Sequence, residues 1–363
     1  MTNKIKLLKG LDTLLGPIAV RIVKLLFSPR QTVSEVPESI LILRPGGIGD
    51  AVLLIPAIHS IKTAFPQAGI DILAEKRNSE VFSLCPAINK LLLYDRPKEL
   101  FQAIRGRYDA VIDTEQWYRL SAVMAYLTGA PIRIGFSTNK RRDLFNSKVS
   151  YSQDEHEIDS FLNLASQLTK KEAYKRSVPF ISLHPAATDY VNSLLKHFSG
   201  LKIIALFPGG STEEKRWEAE KFYELSFKLN KEGYAIVVVG SRDDLSSGAI
   251  ITDGIPESLN LCGKLSLTES AAVLKEASLL ITGDSGIMHL AFGLGSKTVS
   301  LFGPGNYRKW APPGDKHRMV SKNVSCSPCS RFGHTPGCRR GRECMKLITV
   351  DEVFQQAMQL LKE

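Results

Sequence analysis

A chain of 363 residues, 44% hydrophobic and 23% charged, has the composition of a globular protein long enough for two domains. Lysine and arginine outnumber the acids 47 to 37. The resulting net charge of +10 points to acidic partners (phosphorylated substrates, anionic lipid or nucleic acid) or simply to a basic soluble protein. No stretch reaches the roughly 18 uninterrupted apolar residues of a membrane span, and the first apolar run lacks a signal-type cleavage site, which argues against secretion.

Residues 1–38 read as an amphipathic helical extension. Leu7, Leu8, Leu11, Leu14, Leu15, Ile18, Ile22, Leu25 and Leu26 recur at helical spacing, with a kink expected at Pro17. Lys4, Lys6, Lys9, Arg21, Lys24 and Arg30 make residues 4–30 basic, and Asp12 is the one acid of that stretch. Such a helix either lies on an anionic membrane surface or packs on the protein's own surface.

Short apolar strands follow at 40–43, 70–73, 91–94 and 110–113, separated by helical stretches. The regularity lapses around 177–200. A second series then runs 202–207, 235–239, 259–262, 279–282 and 298–302. The alternation predicts an α/β chain of two Rossmann-like domains, 39–190 and 191–363, facing a cleft, with each half opening on a strand and a glycine-rich turn. The last helix, at 350–361, is expected to cross back onto the first domain.

Four groupings carry chemistry. In Arg44-Pro45-Gly46-Gly47-Ile48-Gly49-Asp50 the glycines, Gly49 among them, let backbone approach a ligand. Asp50 then sits at a helix N-terminus as either a reactive carboxylate or a helix cap. The glycine spacing does not complete the dinucleotide fingerprint. In Phe207-Pro208-Gly209-Gly210-Ser211, amides and Ser211 can receive phosphate oxygens, and Lys215 supplies a charge or is merely solvated. After the strand at 235–239, Asp243 either accepts from ribose hydroxyls or caps a helix. In Gly283-Asp284-Ser285-Gly286-Ile287-Met288-His289, an apolar strand ends in a turn that gathers amides, a carboxylate and an imidazole. Asp284 suits sugar hydroxyls, the Ser285 and Gly286 amides a diphosphate, and His289 a further donor or the core.

The stretches 44–56, 208–217 and 283–291, in this order and spacing, resemble glycosyltransferase family 9, the family of ADP-heptose:lipopolysaccharide heptosyltransferases. The resemblance covers about residues 40–355. It implies a GT-B fold, with acceptor bound by the N-terminal domain and sugar nucleotide by the C-terminal domain. It also implies an inverting, metal-independent transfer of heptose from ADP-heptose to a lipopolysaccharide core acceptor, with no catalytic cofactor. By that resemblance Asp50 is the general base, Lys215 and Ser211 contact the diphosphate, and Asp284, Ser285, Gly286 and His289 form the sugar and diphosphate cradle. Asp243 falls at the ribose-binding acid, in a loop that also aligns one residue later, and Leu265 falls near the adenine. Many family members carry Gln-Gly-Leu after the strand at 110–113, where this chain has Glu115-Gln116-Trp117, then Tyr118 and Arg119. Arg119 and the basic stretch 133–142 are candidates for acceptor phosphates or carboxylates, or form a solvated face. A cytoplasmic enzyme, peripheral on the inner face of the cytoplasmic membrane, is the expected setting.

The C-terminal cluster Cys326-x2-Cys329-x8-Cys338-x5-Cys344 can supply a tetrahedral structural zinc site, although the spacing fits no common finger; reduced thiols, or disulfides that a cytosolic setting disfavours, are the alternatives. Cys85 and Cys262 read as core residues. Two other readings stay open. One keeps the fold and uses another sugar nucleotide in O-antigen or capsule synthesis. The other is a basic nucleic-acid-binding protein with the cysteine cluster as its metal site, although no aromatic-basic interleaving or DNA-binding motif supports it, so no nucleic-acid partner is expected.

Overall fold

The fold is known from a computed structural model that describes residues 3–30, 36–170 and 177–363, and of residues 3–9 and 11 the backbone alone. Residues 31–35 and 171–176 lie outside the described residues, as do the side chains of Lys4, Lys6, Leu7, Leu8, Lys9 and Leu11 in the predicted stripe. The chain divides into two compact units, Met1–Ser177 and Val178–Glu363.

The first unit holds α1 (Asn3–Leu26), β1 (Ser39–Arg44), α2 (Ile48–Ala64), β2 (Gly69–Ala74), β3 (Lys90–Leu93) and α3 (Pro97–Arg105). It continues with β4 (Ala110–Asp113), α4 (Leu120–Leu127), β5 (Ile132–Phe136), β6 (Ser147–Val149) and α5 (Glu157–Thr169). Among the described residues its strands make one parallel sheet in the order β3-β2-β1-β4-β5-β6. Ile40 to Leu43 of β1 are buried on both faces, as a central parallel strand under helices must be. That is why β1 reads as an uninterrupted apolar run and not as an alternation. α2 is likewise buried from Ala51 to Ile58, and it packs on α5.

The second unit holds α6 (Pro185–Leu195), β7 (Ile203–Phe207), α7 (Ala219–Lys231), β8 (Ala235–Val238), α8 (Leu245–Thr252), β9 (Ser258–Asn260) and α9 (Leu267–Glu276). After these come β10 (Leu279–Gly283), α10 (Gly286–Leu294), β11 (Thr298–Phe302), α11 (Tyr307–Trp310), β12 (His317–Ser321), α12 (Glu343–Lys346) and α13 (Val350–Lys362). Its parallel sheet has the order β12-β11-β10-β7-β8-β9. α6, through which the expected 190/191 division runs, packs on α9 of this unit. The last helix packs on its own unit, against α7 and the sheet at β10, β11 and β12. α13 starts at a capping box, in which Thr349 Oγ1 accepts from the Glu352 amide, and it buries Val353, Ala357 and Leu360 in a core with Trp217, Phe222 and Ile348.

Strand order reverses at β1/β4 in the first sheet and at β7/β10 in the second, and open α/β sheets bind ligands at the carboxyl ends of strands beside such a switch point. In the first unit this edge is knotted by Arg141. Its guanidinium bonds the Asp113 carboxylate at 2.6 Å, the carbonyls of Phe136 at 3.3 Å and Tyr118 at 3.1 Å, and the Glu115 carbonyl. Arg141 and Asp113 are both fully buried. Removing one partner of such a pair leaves an uncompensated buried charge, a cost of about 3–5 kcal/mol. Arg141→Met is therefore expected to lower the urea-unfolding free energy by about that amount, with a loss under about 1 kcal/mol counting against the knot.

Candidate functional site

In the first unit the site is built on Arg44, the last residue of β1, which is 1% exposed. Its guanidinium donates to the carbonyls of Pro45 (2.7 Å) and Thr114 (3.0 Å), and lies over the Phe161 ring at 5.7 Å. Its remaining nitrogen stands 3.4 Å from the Asp50 carboxylate and 3.9 Å from that of Glu115. The chain turns tightly around this cation. Gly46 has φ +118°, and a Cβ there would come within 2.7 Å of the guanidinium, so the turn requires glycine. Gly47 is the N-cap of α2, with no side-chain bond, and Gly49 and Asp50 lie in the first turn. Asp50 is thus not the helix cap. Its carboxylate remains 20% exposed while held by Arg44.

The loop after β4 turns its acid inward. Glu115 Oε1 accepts from the amides of Gln116 (3.0 Å), Trp117 (3.1 Å) and Tyr118 (3.4 Å). Gln116 donates to Glu157 at 2.6 Å, and the Tyr151 hydroxyl donates to the same carboxylate at 2.9 Å. Burial, then Glu157 and Asp50, push the Tyr151 phenol far up, so it stays protonated. Arg119 is engaged by the extension: its amide and that of Leu120 donate to Asp12 Oδ1 at 2.7 Å each, and its guanidinium stands 3.4 Å from Asp12 Oδ2. The basic stretch 133–142 divides. Arg133 donates to the carbonyls of Leu144 and Ala130 and Arg141 is buried, whereas Lys140 and Arg142 face solvent.

In the second unit the turns after β7 and β10 meet. Lys215, closing the short 3-10 turn Glu213–Lys215, donates to Asp284 Oδ2 at 2.7 Å. The approach leaves no room for side chains. A Cβ on Gly283 would lie 2.8 Å from the Lys215 carbonyl, and one on Gly305, after β11, 2.2 Å from Asp284 Oδ2. Ser285 caps α10, accepting from the Met288 amide at 3.4 Å, so the first-turn amides of Gly286 and Ile287 have no intrahelical acceptor. His289 is buried one turn later, near Trp310, and its Nδ1 has no hydrogen-bond partner among the described residues. A buried polar atom without a partner marks a place where a ligand group can complete the bonding. Ser211 is exposed on the turn after β7, and Leu265 is half-buried just before the Ser266 cap of α9. After β8 it is Asp244 that is buried, accepting from the Ser241 amide and hydroxyl and pairing with Arg216 at 3.3 Å. Asp243 faces solvent. Motif spacing singled out neither Arg44 nor Gly305. The signal for Arg44 was a charged residue ending a fully apolar strand directly before a glycine turn.

The expected zinc site finds no support. Among the described residues no group of three or more His, Cys, Asp or Glu side chains is arranged to hold a metal ion. The segment is held by other bonds: the Cys329 and Ser330 amides donate to the Pro304 carbonyl, and Cys338 Sγ accepts from the Arg342 amide at 3.2 Å. The four thiols are free. Burial first, and then the neighbouring cysteines, push the Cys329 and Cys344 thiols up.

His289 and His317 are each pushed down to about 4, chiefly by burial. Both are neutral in the fold and take up a proton on unfolding below about pH 6.5, so stability is lost as pH falls from there towards 4. Each contributes up to about 1.4 kcal/mol per pH unit in that window. Urea unfolding of His289→Gln between pH 7.5 and 5.5 should show a flatter pH dependence than the parent, and an unchanged slope would contradict the neutral buried imidazole.

The profile of glycosyltransferase family 9 (heptosyltransferase) matches residues 98–338. Lipooligosaccharide heptosyltransferase 2 of Campylobacter jejuni is 25% identical over 335 residues, covering 89% of this chain and 98% of the relative. Among solved structures, a glycosyl transferase of family 9 from Veillonella parvula aligns with a TM-score of 0.78 at 21% identity, covering 91% of this chain and 99% of the other. The E. coli ADP-heptose LPS heptosyltransferase II aligns with a TM-score of 0.73 at 22% identity, covering 89% and 98%. The fold is GT-B, and the chain belongs to glycosyltransferase family 9, the heptosyltransferase family.

Proposed function

We propose that the protein is an inverting heptosyltransferase that needs no metal, moving heptose from ADP-heptose to a lipopolysaccharide core acceptor. The observation that carries the reading is the 2.7 Å contact of Lys215 with Asp284, which draws the turns after β7 and β10 to one point beside the N-terminus of α10. That point offers a mobile cation, first-turn amides and a carboxylate, the chemistry that a sugar diphosphate requires. The names of the relatives support ADP-heptose as donor and lipopolysaccharide as acceptor. Arg44, Arg133 and Arg141 are engaged with the protein itself, which weighs against a nucleic-acid surface.

The steps follow from the residues. Asp50, oriented by Arg44, takes the proton of an acceptor hydroxyl as that oxygen attacks the anomeric carbon on the face opposite the nucleotide. The bond to the diphosphate breaks with its electron pair, and Lys215 with the amides at Gly286 stabilises the charge that develops on ADP. Ser211 contacts the diphosphate, Asp284 the sugar hydroxyls, and His289 donates through its ring. Asp243 serves the ribose, Leu265 lies against the adenine, and Arg119 with the loop around it faces the acceptor. A lipid-borne acceptor places the reaction on the inner face of the cytoplasmic membrane, with the protein peripheral to it.

Asp50→Asn should retain the thermal shift given by donor and lose about a hundred- to ten-thousandfold in turnover. Near-normal turnover would overturn the base assignment. In a panel of sugar nucleotides, ADP-heptose at about a hundred times its Kd should stabilise by about 2.7 kcal/mol. Stabilisation by a UDP- or GDP-sugar instead would move the reading to O-antigen or capsule chemistry.

A further inference from the structure

α1 buries the wrong side for a simple amphipathic helix. Its inner side is Asp12, Gly16, Val20 and Val23, which pack against α4, with a Cβ on Gly16 reaching 2.9 Å from the Arg119 side chain. The chain beyond is tied down as well: the Tyr126 hydroxyl donates to the Phe27 carbonyl, and the Arg30 guanidinium donates to the Tyr108 carbonyl at 2.6 Å. The large apolar residues face out. Leu14 is 75% exposed, Leu15 54%, Ile18 54%, Ile22 51%, Leu25 86% and Leu26 68%.

At 100° per residue these six side chains fall within an arc of roughly 120°, away from the packed face. Isolated exposed leucines are ordinary, but six on one arc form a contiguous patch of the kind that marks an interaction surface. Arg21 and Lys24 are exposed along its border. Residues 3–30 include Lys4, Lys6 and Lys9 as well, whereas the one acid, Asp12, is buried under the helix. No helix of the described residues is long and apolar enough to cross a membrane.

We infer that the outward face of α1 docks on an anionic bilayer, with Leu14, Ile18, Ile22 and Leu25 among the acyl chains and Arg21 and Lys24 at the headgroups. Among the described side chains of α1 the exposed charges are both cations, Arg21 and Lys24, which matches a bilayer with negative headgroups. A protein partner would have to supply the acids, and among the described residues of α1 no exposed acid offers a cation–acid pattern to a second copy. The attachment is also mechanically apt. Asp12 binds the amides of Arg119 and Leu120, and the same loop, through Glu115, meets the Arg44 that holds Asp50. Docking α1 thus holds the loop beside the proposed base at a fixed height over the lipid. That purpose rests on the lipid-borne acceptor proposed above. The docking does not, because its test reads vesicle binding without donor or acceptor.

The full-length protein is floated with vesicles of phosphatidylcholine alone and of phosphatidylcholine mixed with phosphatidylglycerol, beside the variants Leu14→Gln/Ile18→Gln/Leu25→Gln and Arg21→Gln/Lys24→Gln. All five positions are exposed, so both variants should keep the parent's melting temperature. The parent is expected to float with the anionic vesicles, the leucine-face variant to lose about tenfold or more in partitioning, and the cation variant to lose its preference for anionic lipid. Sedimentation velocity of the same proteins checks the competing occupant. No flotation of the parent, equal flotation of parent and leucine-face variant, or a parent oligomer that the leucine-face variant disperses without any vesicle binding would each overturn the inference.

Discussion

A guanidinium buried at the carboxyl end of β1 is the constraint around which the first unit's site is organised. A cation in that position is tolerated only if carbonyls and carboxylates surround it. Arg44 obtains two carbonyls from the chain on either side of the switch point, and draws Asp50 and Glu115 towards itself from two different loops. The positions of those acids are therefore set by the solvation of a charge and not by loop conformation alone. Asp50 keeps a solvent-facing edge, whereas Glu115 is closed over by three amides of its own loop. Two carboxylates near one cation thus receive different roles: one is left accessible and the other becomes part of the scaffold.

The second unit solves a related problem with a weaker device. Lysine is a flexible point charge, and its contact with Asp284 is a single bond at an edge that still touches solvent. Such a pair can exchange partners with an incoming anion such as the proposed diphosphate, which a buried, forked guanidinium cannot do. In the mechanism proposed above, the rigid cation sits with the base, where geometry matters, and the mobile one where charge would develop on the leaving group.

What was legible in the chain was whatever a central parallel strand imposes on composition. β1, β7, β8 and β10 are buried on both faces, so each carries an unbroken apolar run of three or more residues, and the glycine turns that follow them are conspicuous. Of the edge strands, β3 and β9 still read as short strands, whereas β6 and β12 carry no such mark. β6 is only three residues long, β12 reads His317-Arg318-Met319-Val320-Ser321 with only Val320 buried, and neither has a period to detect. β5 was hidden differently: Arg133 and the later Arg141 suggested a basic surface, but one bonds carbonyls along the strand's own neighbourhood and the other is fully buried. Sequence also cannot say which of two adjacent acids turns inward. Asp244 makes the capping box after β8 and Asp243 does not, because only the third residue of that turn can reach back to Ser241. The cysteine spacing, finally, speaks of ligand number and not of geometry, and the bonds of the 326–344 segment to Pro304 and Arg342 arrange it otherwise.

The extension shows where hydrophobic periodicity stops being informative. Leu14, Leu15, Ile18, Ile22, Leu25 and Leu26 do share a face, as their spacing requires, but a shared face says nothing about what covers it. The contacts that hold α1 to the first unit come from residues a hydrophobic stripe ignores: a glycine that permits close approach, two valines, and an aspartate whose carboxylate takes two backbone amides. A buried carboxylate with amide donors is directional where a leucine stripe is not, so it fixes the helix in one rotation. Had the leucines been the packed side, the helix would have covered its own apolar surface and left a charged one bare. Anchoring by Asp12 and Gly16 reverses that outcome and leaves the large apolar side chains facing outward.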